Sequence, residues 1–185
     1  LPSPGEDPEW AYEFAWGGLR TMVLVSGGHL MVHDDAGAEV TSRYPELRKL
    51  GEELGSTEVL LDGEIVVVKD GRPSASALEE RAHADGNAAK WMVARCPVFY
   101  FAYDVLHLDG TSTMDIPYTE RRALLEELEL AGPHWQVPQY FRGDGSAVAG
   151  ASRHHGLPGI IAKRADSPYL PGDTSGTWRL IPNAL

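Results

Sequence analysis

Cysteine is nearly absent from this sequence, which contains one, Cys96, among 185 residues. A single cysteine excludes an internal disulfide, and because Cys96 precedes Pro97 in an apolar context, we expect a buried small hydrophobe rather than a reactive thiol. Long apolar runs are also missing, since no stretch approaches the roughly 18 to 20 residues of a membrane-spanning helix. The first residues lack the charged-then-apolar layout of a signal peptide, so we expect a cytoplasmic protein with no membrane partner.

Basic residues are scarce, with 16 Lys and Arg against 27 Asp and Glu and a net charge of −11. Phosphate contacts supply most of the affinity for nucleic acid, so this balance disfavours tight, unassisted binding to DNA. The seven histidines show no metal-ligand spacing, and the sequence contains no Ser/His/Asp set, P-loop or dinucleotide fingerprint.

Strand-like segments outnumber helical ones, and hairpin turns recur, which predicts an α+β fold with two antiparallel sheets flanked by helices. Strands are predicted within 10–32, with a hairpin turn at Gly27-Gly28, and at 58–68, 98–108, 159–163 and 177–181. Helices are predicted at 44–54, 76–90 and 146–155 and from Thr119 onward. Residues 1–9, rich in proline and acidic residues, predict an extended lead-in, and 10–185 are expected to form a single domain.

Two carboxylates interrupt the valine-rich predicted strand. Asp62 and Glu64 are two residues apart, so both project from one face, while Leu61 and Ile65 project from the other. An unpaired buried carboxylate is costly, so the pair either faces a solvated cleft that binds a metal or a sugar, or has a cationic partner. An equally good interpretation is a β-bulge beside Asp62 with Glu64 on an exposed sheet face.

Two further patterns have both a functional and a structural interpretation. Gly17-Gly18 would let the backbone approach a ligand closely, although paired glycines more often form only a turn. Lys163 and Arg164 follow an apolar run and would hold phosphate at a strand end, or equally block an exposed sheet edge.

The aromatic residues of the predicted strand 98–108 offer a surface for a base. We assign Phe101 to one face and both Tyr100 and Tyr103 to the other. One of these rings would stack on a base, although core packing is the commoner use of strand aromatics.

Five segments of the chain follow one another in a recognisable order, and each contains residues discussed above or lies beside them. They are Ala15-Trp16-Gly17-Gly18-Leu19-Arg20, Leu61-Asp62-Gly63-Glu64, Phe101 to Gly110, Pro158 to Lys163, and Trp178 to Pro182. In order and spacing they resemble the adenylation (nucleotidyltransferase) domain of ATP-dependent DNA ligases, most closely that of bacterial end-joining ligases. The resemblance runs from about Trp10 to Pro182, nearly the whole chain.

The resemblance implies that this chain has lost the residues that attach AMP covalently to the protein. In such ligases the lysine of Lys-x-Asp-Gly-x-Arg attacks the α-phosphate of ATP and carries AMP as a phosphoramidate, and the matching residue here is Ala15. Gly17 matches the aspartate of that motif, and Pro158 matches a glutamate that helps hold the metal. Leu180 and Pro182 match the two lysines of Trp-x-Lys-x-Lys, which neutralise the triphosphate.

Two further residues depart from the family pattern: Asp35 stands in place of a basic residue and Ala75 in place of an apolar ring. The lost family residues are therefore scattered along the chain. Scattered losses indicate a naturally degenerate domain rather than a single engineered substitution. The missing residues are mostly cations, which accounts for part of the acidic charge.

The residues that the resemblance assigns to a nucleoside are kept. Glu13 is implied beside the adenine edge, Arg20 at the ribose or phosphate, Tyr103 stacked on the base, Lys163 near the nucleotide, and Glu64 as a weak metal ligand. The implied cofactors are ATP or AMP, with weak Mg²⁺ binding.

Two functions are consistent with these residues. The first is a catalytically inactive nucleotide-binding or scaffold module linked to DNA repair and end joining, which binds DNA weakly or through a partner protein. The alternative is an active ligase or nucleotidyltransferase completed by another chain or by further C-terminal sequence. Rescue by Lys163 is disfavoured because a displaced nucleophile loses most of its proximity advantage. The family's OB-fold domain has no room in these 185 residues.

Overall fold

Strands rich in valine, leucine and aromatic residues dominate the computed structural model, which describes residues 9–172 and 176–183. Most of the predicted lead-in, residues 1–9, lies outside these ranges. The strands are β1 (Trp10–Ala15), β2 (Leu19–Ser26), β3 (His29–Asp34), β4 (Val59–Val66), β5 (Val68–Lys69), β6 (Arg72–Pro73), β7 (Phe99–Leu108), β8 (Thr111–Ser112), β9 (Trp135–Gln136), β10 (Phe141–Arg142), β11 (Gly159–Arg164) and β12 (Trp178–Pro182).

The helices cover the predicted regions, but their limits differ from the prediction. They are α1 (Arg48–Leu54), α2 (Ala75–Ala82), α3 (Gly86–Val93), α4 (Tyr118–Glu127) and α5 (Gly145–His154). The helix predicted at 44–54 is α-helical only from Arg48, because Pro45 begins a 3₁₀ turn, and it ends at Gly55, whose φ is +57°. The helix predicted at 76–90 is two helices, because the Asp85 carboxylate accepts a hydrogen bond from the amide of Gly86 and starts α3 there.

Two larger sheets, antiparallel apart from one short parallel pair, confirm the predicted fold class. The small sheet has the order β10-β1-β11-β12 and the large sheet β3-β2-β4-β7-β8, with β9 parallel to β7; β5 and β6 form a separate hairpin. Gly27 and Gly28 have φ values of +57° and +77° and turn β2 into β3, as predicted. None of the strands within the described ranges forms an OB-fold barrel.

The main hydrophobic core lies on one face of the large sheet. Val23, Leu61 and Ile65 of the sheet pack there with Leu50 of α1 and Leu125 of α4. A second core packs α5 against the small sheet through Tyr12, Val148, Ile160 and neighbours. The remaining faces of the two sheets are therefore turned toward each other, and the candidate site lies between them.

The strand β7 is irregular where it passes the site. Its pairing with β4 moves from Asp104 opposite Asp62 to Ala102 opposite Gly63, so Tyr103 is a bulged residue. Tyr100 packs in the main core, whereas Phe101 and Tyr103 share a cluster on the other face. The assignment of Tyr103 to the face of Tyr100 is thus wrong, because residues two apart on a strand share a face.

Two buried ion pairs fasten helices and the Tyr44–Leu47 segment to the sheet. Arg81 of α2 donates to both carboxylate oxygens of Glu46, at 3.0 and 2.8 Å, and Glu46 also accepts from the amide of Val98. Arg121 of α4 donates to Asp104 of β7 at 2.7 and 2.9 Å.

No helix within the described ranges combines the length and apolar character needed to cross a bilayer.

Candidate functional site

A cavity of about 280 Å³ opens between the two sheets, next to the loop that joins β1 to β2. Its walls come from residues that lie far apart in the sequence and meet because β1 and β11 face β4 and β7. The lining residues are Ala15, Trp16, Gly17, Gly18, Arg20, Asp62, Gly63, Glu64, Tyr103, Ile161, Lys163 and Trp178. The predicted positions Arg20, Glu64, Tyr103 and Lys163 are therefore brought together, while Asp35 lines a separate groove beside Arg20 and Ala75 is exposed on α2.

The two carboxylates of β4 both face the cavity, as the two-residue spacing predicts. Asp62 and Glu64 line it, while Leu61 and Ile65 lie in the main core. Gly63 between them lies against β7, since a β-carbon there would be 2.2 Å from the carbonyl oxygen of Phe101. The alternative is half right: the pairing with β7 does shift between Asp62 and Gly63, but Glu64 does not lie on an exposed sheet face.

The Glu64 carboxylate fastens the β1–β2 loop. Its Oε2 accepts from the amide of Gly18 at 2.7 Å, and its Oε1 accepts from the amide of Trp16 at 3.3 Å and from the hydroxyl of Tyr103. Burial, only partly offset by these three donors, raises the pKa of Glu64 above its ordinary value. The amides of Trp16 and Gly18 and the Tyr103 hydroxyl thus all donate to the Glu64 carboxylate.

The glycines of this loop are required by its geometry. Gly17 has a φ of +70°, and a β-carbon on it would lie 3.0 Å from Cγ of Pro158. A β-carbon on Gly18 would lie 2.4 Å from the carbonyl oxygen of Ile65. The loop therefore passes against both β4 and the segment before β11, and its paired glycines serve more than a simple turn.

Lys163 and Glu13 form a buried ion pair behind the cavity wall. Nζ of Lys163 lies 2.7 Å from Oε2 of Glu13, and the two side chains are 3% and 1% exposed. Tyr118 donates its hydroxyl to Oε1 of Glu13. Nζ also lies 4.1 Å from the ring centroid of Trp178 and 5.5 Å from that of Tyr103, within cation–π range. Because Lys163 is buried in a central strand, the alternative that it blocks an exposed sheet edge is wrong.

Arg20 is paired with Asp62 and Tyr169 at the open side of the cavity. Its Nε and Nη2 donate to the two carboxylate oxygens of Asp62 at 3.1 and 2.8 Å, and Nη2 also donates to the Tyr169 hydroxyl at 2.8 Å. Tyr169 in turn donates to Asp62 at 2.8 Å, and its burial raises its own pKa. The hydrogen bonds to Asp62 likewise raise the pKa of Arg20. Asp62 therefore has the cationic partner that its position on a valine-rich strand requires.

The residues present do not fit a magnesium ion or a triphosphate. Asp62 already accepts three hydrogen bonds from Arg20 and Tyr169, and Glu64 accepts three from two amides and a hydroxyl. Within the described ranges, no three His, Cys, Asp or Glu side chains gather closely enough to hold a metal ion. Arg20 and Lys163, the two cations that line the cavity, are each bound to a carboxylate. The rings of Trp16, Tyr103 and Trp178 give the cavity an aromatic lining with few free polar groups.

Comparison with known proteins decides the family. The family described as "ATP dependent DNA ligase domain" matches residues 5–180. The chain belongs to this family. It is 39% identical over 171 residues to the "Multifunctional non-homologous end joining DNA repair protein LigD" of Mycobacterium tuberculosis, which covers 92% of this chain and 21% of that protein. It is 30% identical over 184 residues to the "SPbeta prophage-derived DNA ligase-like protein LigB" of Bacillus subtilis, covering 99% of this chain and 64% of that protein.

Solved structures of ligase domains share the fold. The ligase domain of M. tuberculosis LigD matches with a TM-score of 0.82 and 35% identity, over 97% of this chain and 55% of that one. A mycobacterial DNA ligase D complexed with ATP and MES matches with a TM-score of 0.77 and 38% identity, over 91% of this chain and 52% of that one. This member of the ligase-domain family thus has the nucleotidyltransferase fold and spans about half of the solved ligase-domain chains.

Sequence reasoning missed the side chains that support the site. Tyr118, Tyr169 and Arg122 hold Glu13 and Asp62 in place, with Nη1 of Arg122 lying 3.7 Å from Oε1 of Glu13. Tyr169 reaches Asp62 across 107 positions of the sequence and Tyr118 reaches Glu13 across 105, so no local pattern signals either contact. Glu13 itself is buried behind Lys163 rather than open to the cavity.

Proposed function

We propose that this ligase-family chain is a catalytically inactive adenylation-type module that keeps an adenine-binding cavity and acts in DNA repair and end joining. One observation carries the proposal: Ala15 forms the wall of the cavity at the position that the family resemblance gives to the nucleophilic lysine. A methyl group has no lone pair with which to attack phosphorus, so the first covalent step has no nucleophile.

The charges around the cavity support inactivity independently of Ala15. Phosphoryl transfer depends on cations that stabilise the charge developing on the phosphate. Here Leu180 and Pro182 stand at the positions of two clamping lysines, Leu180 with 62% of its surface exposed. Lys163 is held by Glu13, and Arg20 by Asp62. Restoring a lysine at position 15 alone would therefore still leave the attack on the α-phosphate without cations to stabilise the developing charge.

Retention of an adenine-binding cavity is supported by the aromatic lining and by the relative that was solved with ATP. That structure is 38% identical to this chain and matches 91% of this chain. Tyr103 and Trp178 provide ring faces in the cavity wall, and Lys163 lies close to both rings. Action in repair is inferred from the relatives named for end joining, and a cytoplasmic location remains part of the proposal.

Incubation of the purified chain with α-³²P-ATP and Mg²⁺, followed by denaturing electrophoresis, tests the proposal. We expect no label on the protein, because the phosphoramidate cannot form. A solved mycobacterial ligase domain labelled in parallel is the positive control. A covalently labelled chain, with label released by acid as expected for a phosphoramidate, contradicts the proposal.

A second candidate is an active nucleotidyltransferase completed by another chain or by further sequence. It is favoured by the observation that this chain spans only 55% of the ligase-domain chain of M. tuberculosis LigD. Labelling reactions that contain this chain together with DNA and candidate partner chains distinguish the two. Label that appears on a partner only when this chain is present supports the second candidate.

A further inference from the structure

The anion-binding groups of the cavity are already occupied by the protein's own carboxylates. Backbone amides in a tight glycine loop commonly hold phosphate or carboxylate groups. Here the amides of Trp16 and Gly18, together with the Tyr103 hydroxyl, hold Glu64. A phosphate that sought these three donors would have to displace a carboxylate that is joined to the adjacent strand.

The cations of the cavity are occupied in the same way. Lys163 is 2.7 Å from Glu13 and almost fully buried, and Arg20 makes two hydrogen bonds to Asp62. The two cations that line the cavity, Arg20 and Lys163, are therefore each paired with a carboxylate, and Arg122 also lies 3.7 Å from Glu13. An added phosphate would have to compete with these carboxylates for the same cations, in a partly buried setting where charges are poorly screened.

The rest of the cavity surface suits an uncharged aromatic ligand. Ile161, Trp16 and Trp178 contribute apolar surface, and Leu180 lies opposite Ile161 in the pairing of β11 with β12. The volume of about 280 Å³ is just below the range usual for ligand pockets, roughly 300–1,000 Å³. A base with its ribose is compatible with this size.

We propose that the cavity selects an uncharged purine nucleoside over the corresponding nucleotides, and that Glu64 sets this preference by occupying the loop amides. The proposal rests on the proposed function, since the adenine identity of the base comes from there. It reverses the order of affinity expected of a site that serves ATP.

Calorimetric titration of the full chain with adenosine, AMP and ATP, without Mg²⁺ and at about pH 8, well above the ordinary pKa of a carboxylate, tests the ranking. We expect adenosine to bind at least tenfold more tightly than AMP or ATP. Tighter binding of AMP or ATP overturns the proposal, and so does the absence of heat with adenosine at millimolar concentration. This ranking uses the unaltered chain, so it tests the proposal even if a variant fails to fold.

The Glu64→Gln variant tests the role of Glu64. Removing the charge while nearly keeping the shape should improve AMP and ATP binding about tenfold and change adenosine binding less than threefold. Glu52→Gln, an exposed residue of α1, is the matched control, because it removes the same charge away from the cavity. An unchanged ratio of nucleotide to nucleoside affinity in Glu64→Gln overturns the role of Glu64.

The outcomes for this preference and for the proposed function are separate. Covalent labelling by ATP contradicts catalytic inactivity, whatever the affinities are. Reversible ATP binding that is tighter than adenosine binding, without label, overturns only the preference for the nucleoside.

Discussion

A β-carbon on Gly17 would lie 3.0 Å from Cγ of Pro158, and the backbone of Gly17 has a φ of +70°. The family resemblance places an aspartate at the first of these positions and a glutamate at the second. The two departures therefore lie side by side, with no room between them for a side chain on residue 17. Restoring a side chain at Gly17 alone would strain the loop rather than rebuild the reaction.

The Ala15→Lys variant should not become adenylated. Ala15 is the last residue of β1 and lies opposite Gly159, so a lysine there would reach the cavity. The amine would still lack a phosphate clamp, because Arg20 and Lys163 remain bound to carboxylates. Labelling with α-³²P-ATP and Mg²⁺ measures this, with circular dichroism to verify folding. Label on this single variant would show that the rest of the site is competent.

The Gly17→Ala variant should lower the free energy of unfolding by roughly 1–2 kcal/mol, because a residue with a β-carbon is strained at a positive φ. Adding Pro158→Ala removes the Cγ contact and should recover only the part of the loss due to that contact. Gly150→Ala in α5 is the control, since its β-carbon would meet nothing closer than 3.9 Å, and it should stabilise by about 0.5–1 kcal/mol. Urea denaturation measures all three, and equal effects of Gly17→Ala and Gly150→Ala would refute the strain.

The Lys163→Met variant should destabilise the protein by about 3–5 kcal/mol, because it leaves Glu13 buried without its closest cation. Arg122, 3.7 Å from Glu13, compensates in part, which favours the lower end of this range. In the double variant Glu13→Gln/Lys163→Met both charges of the pair are removed and Arg122 keeps Glu126 at 3.6 Å, so most of the loss should be recovered. Urea denaturation of Lys163→Met, Glu13→Gln and the double variant gives the coupling free energy between the two side chains. Additive losses would show that the pair does not interact as the structure indicates.

The contribution of Glu64 to stability should fall as the pH rises. Burial raises the pKa of Glu64 above its ordinary value of 4.5, despite hydrogen bonds from Tyr103, Gly18 and Trp16, and Glu13 adds a smaller effect in the same direction. Its stabilising effect is therefore complete below the ordinary pKa and is lost as the pH rises through the raised value. The unfolding free energy of the wild type minus that of Glu64→Gln should accordingly decrease from about pH 4 toward pH 8. A difference that increases with pH would mean that the loop amides lower the pKa instead.

Much of the fold was predictable because it depends on local patterns. Alternating apolar residues and the Gly27-Gly28 turn indicate the antiparallel strands, and Gly55 marks the end of α1. The position of the Asp62 and Glu64 side chains on one face of β4 also follows from their two-residue spacing. A β-bulge beside Asp62 was one of the two interpretations, and the register does shift there, but that the extra residue is Tyr103 of β7 was not predictable, because it depends on how β7 meets β4.

The electrostatic state of the site could not be predicted from the sequence. Glu13 and Lys163 are 150 positions apart, and Arg20 and Asp62 are 42 apart, so neither pair has a local signal. From sequence, Arg20 and Lys163 look like residues ready for phosphate. Only the folded chain shows that each is already neutralised.

Nicked duplex DNA should bind weakly at low salt and be released as the salt concentration approaches about 0.15 M, because phosphate contacts release counterions. The net charge is −11, and among residues 9–172 and 176–183 burial does not change this balance: Arg81, Arg121, Arg122 and Lys163 are buried, but so are four carboxylates, Glu13, Glu46, Asp62 and Asp104. Fluorescence anisotropy with a labelled nicked duplex, from about 20 to 150 mM salt, measures the loss. Tight binding that persists at the higher salt concentration would require a local basic surface strong enough to overcome the net charge, and would remove the need for a partner protein at DNA ends.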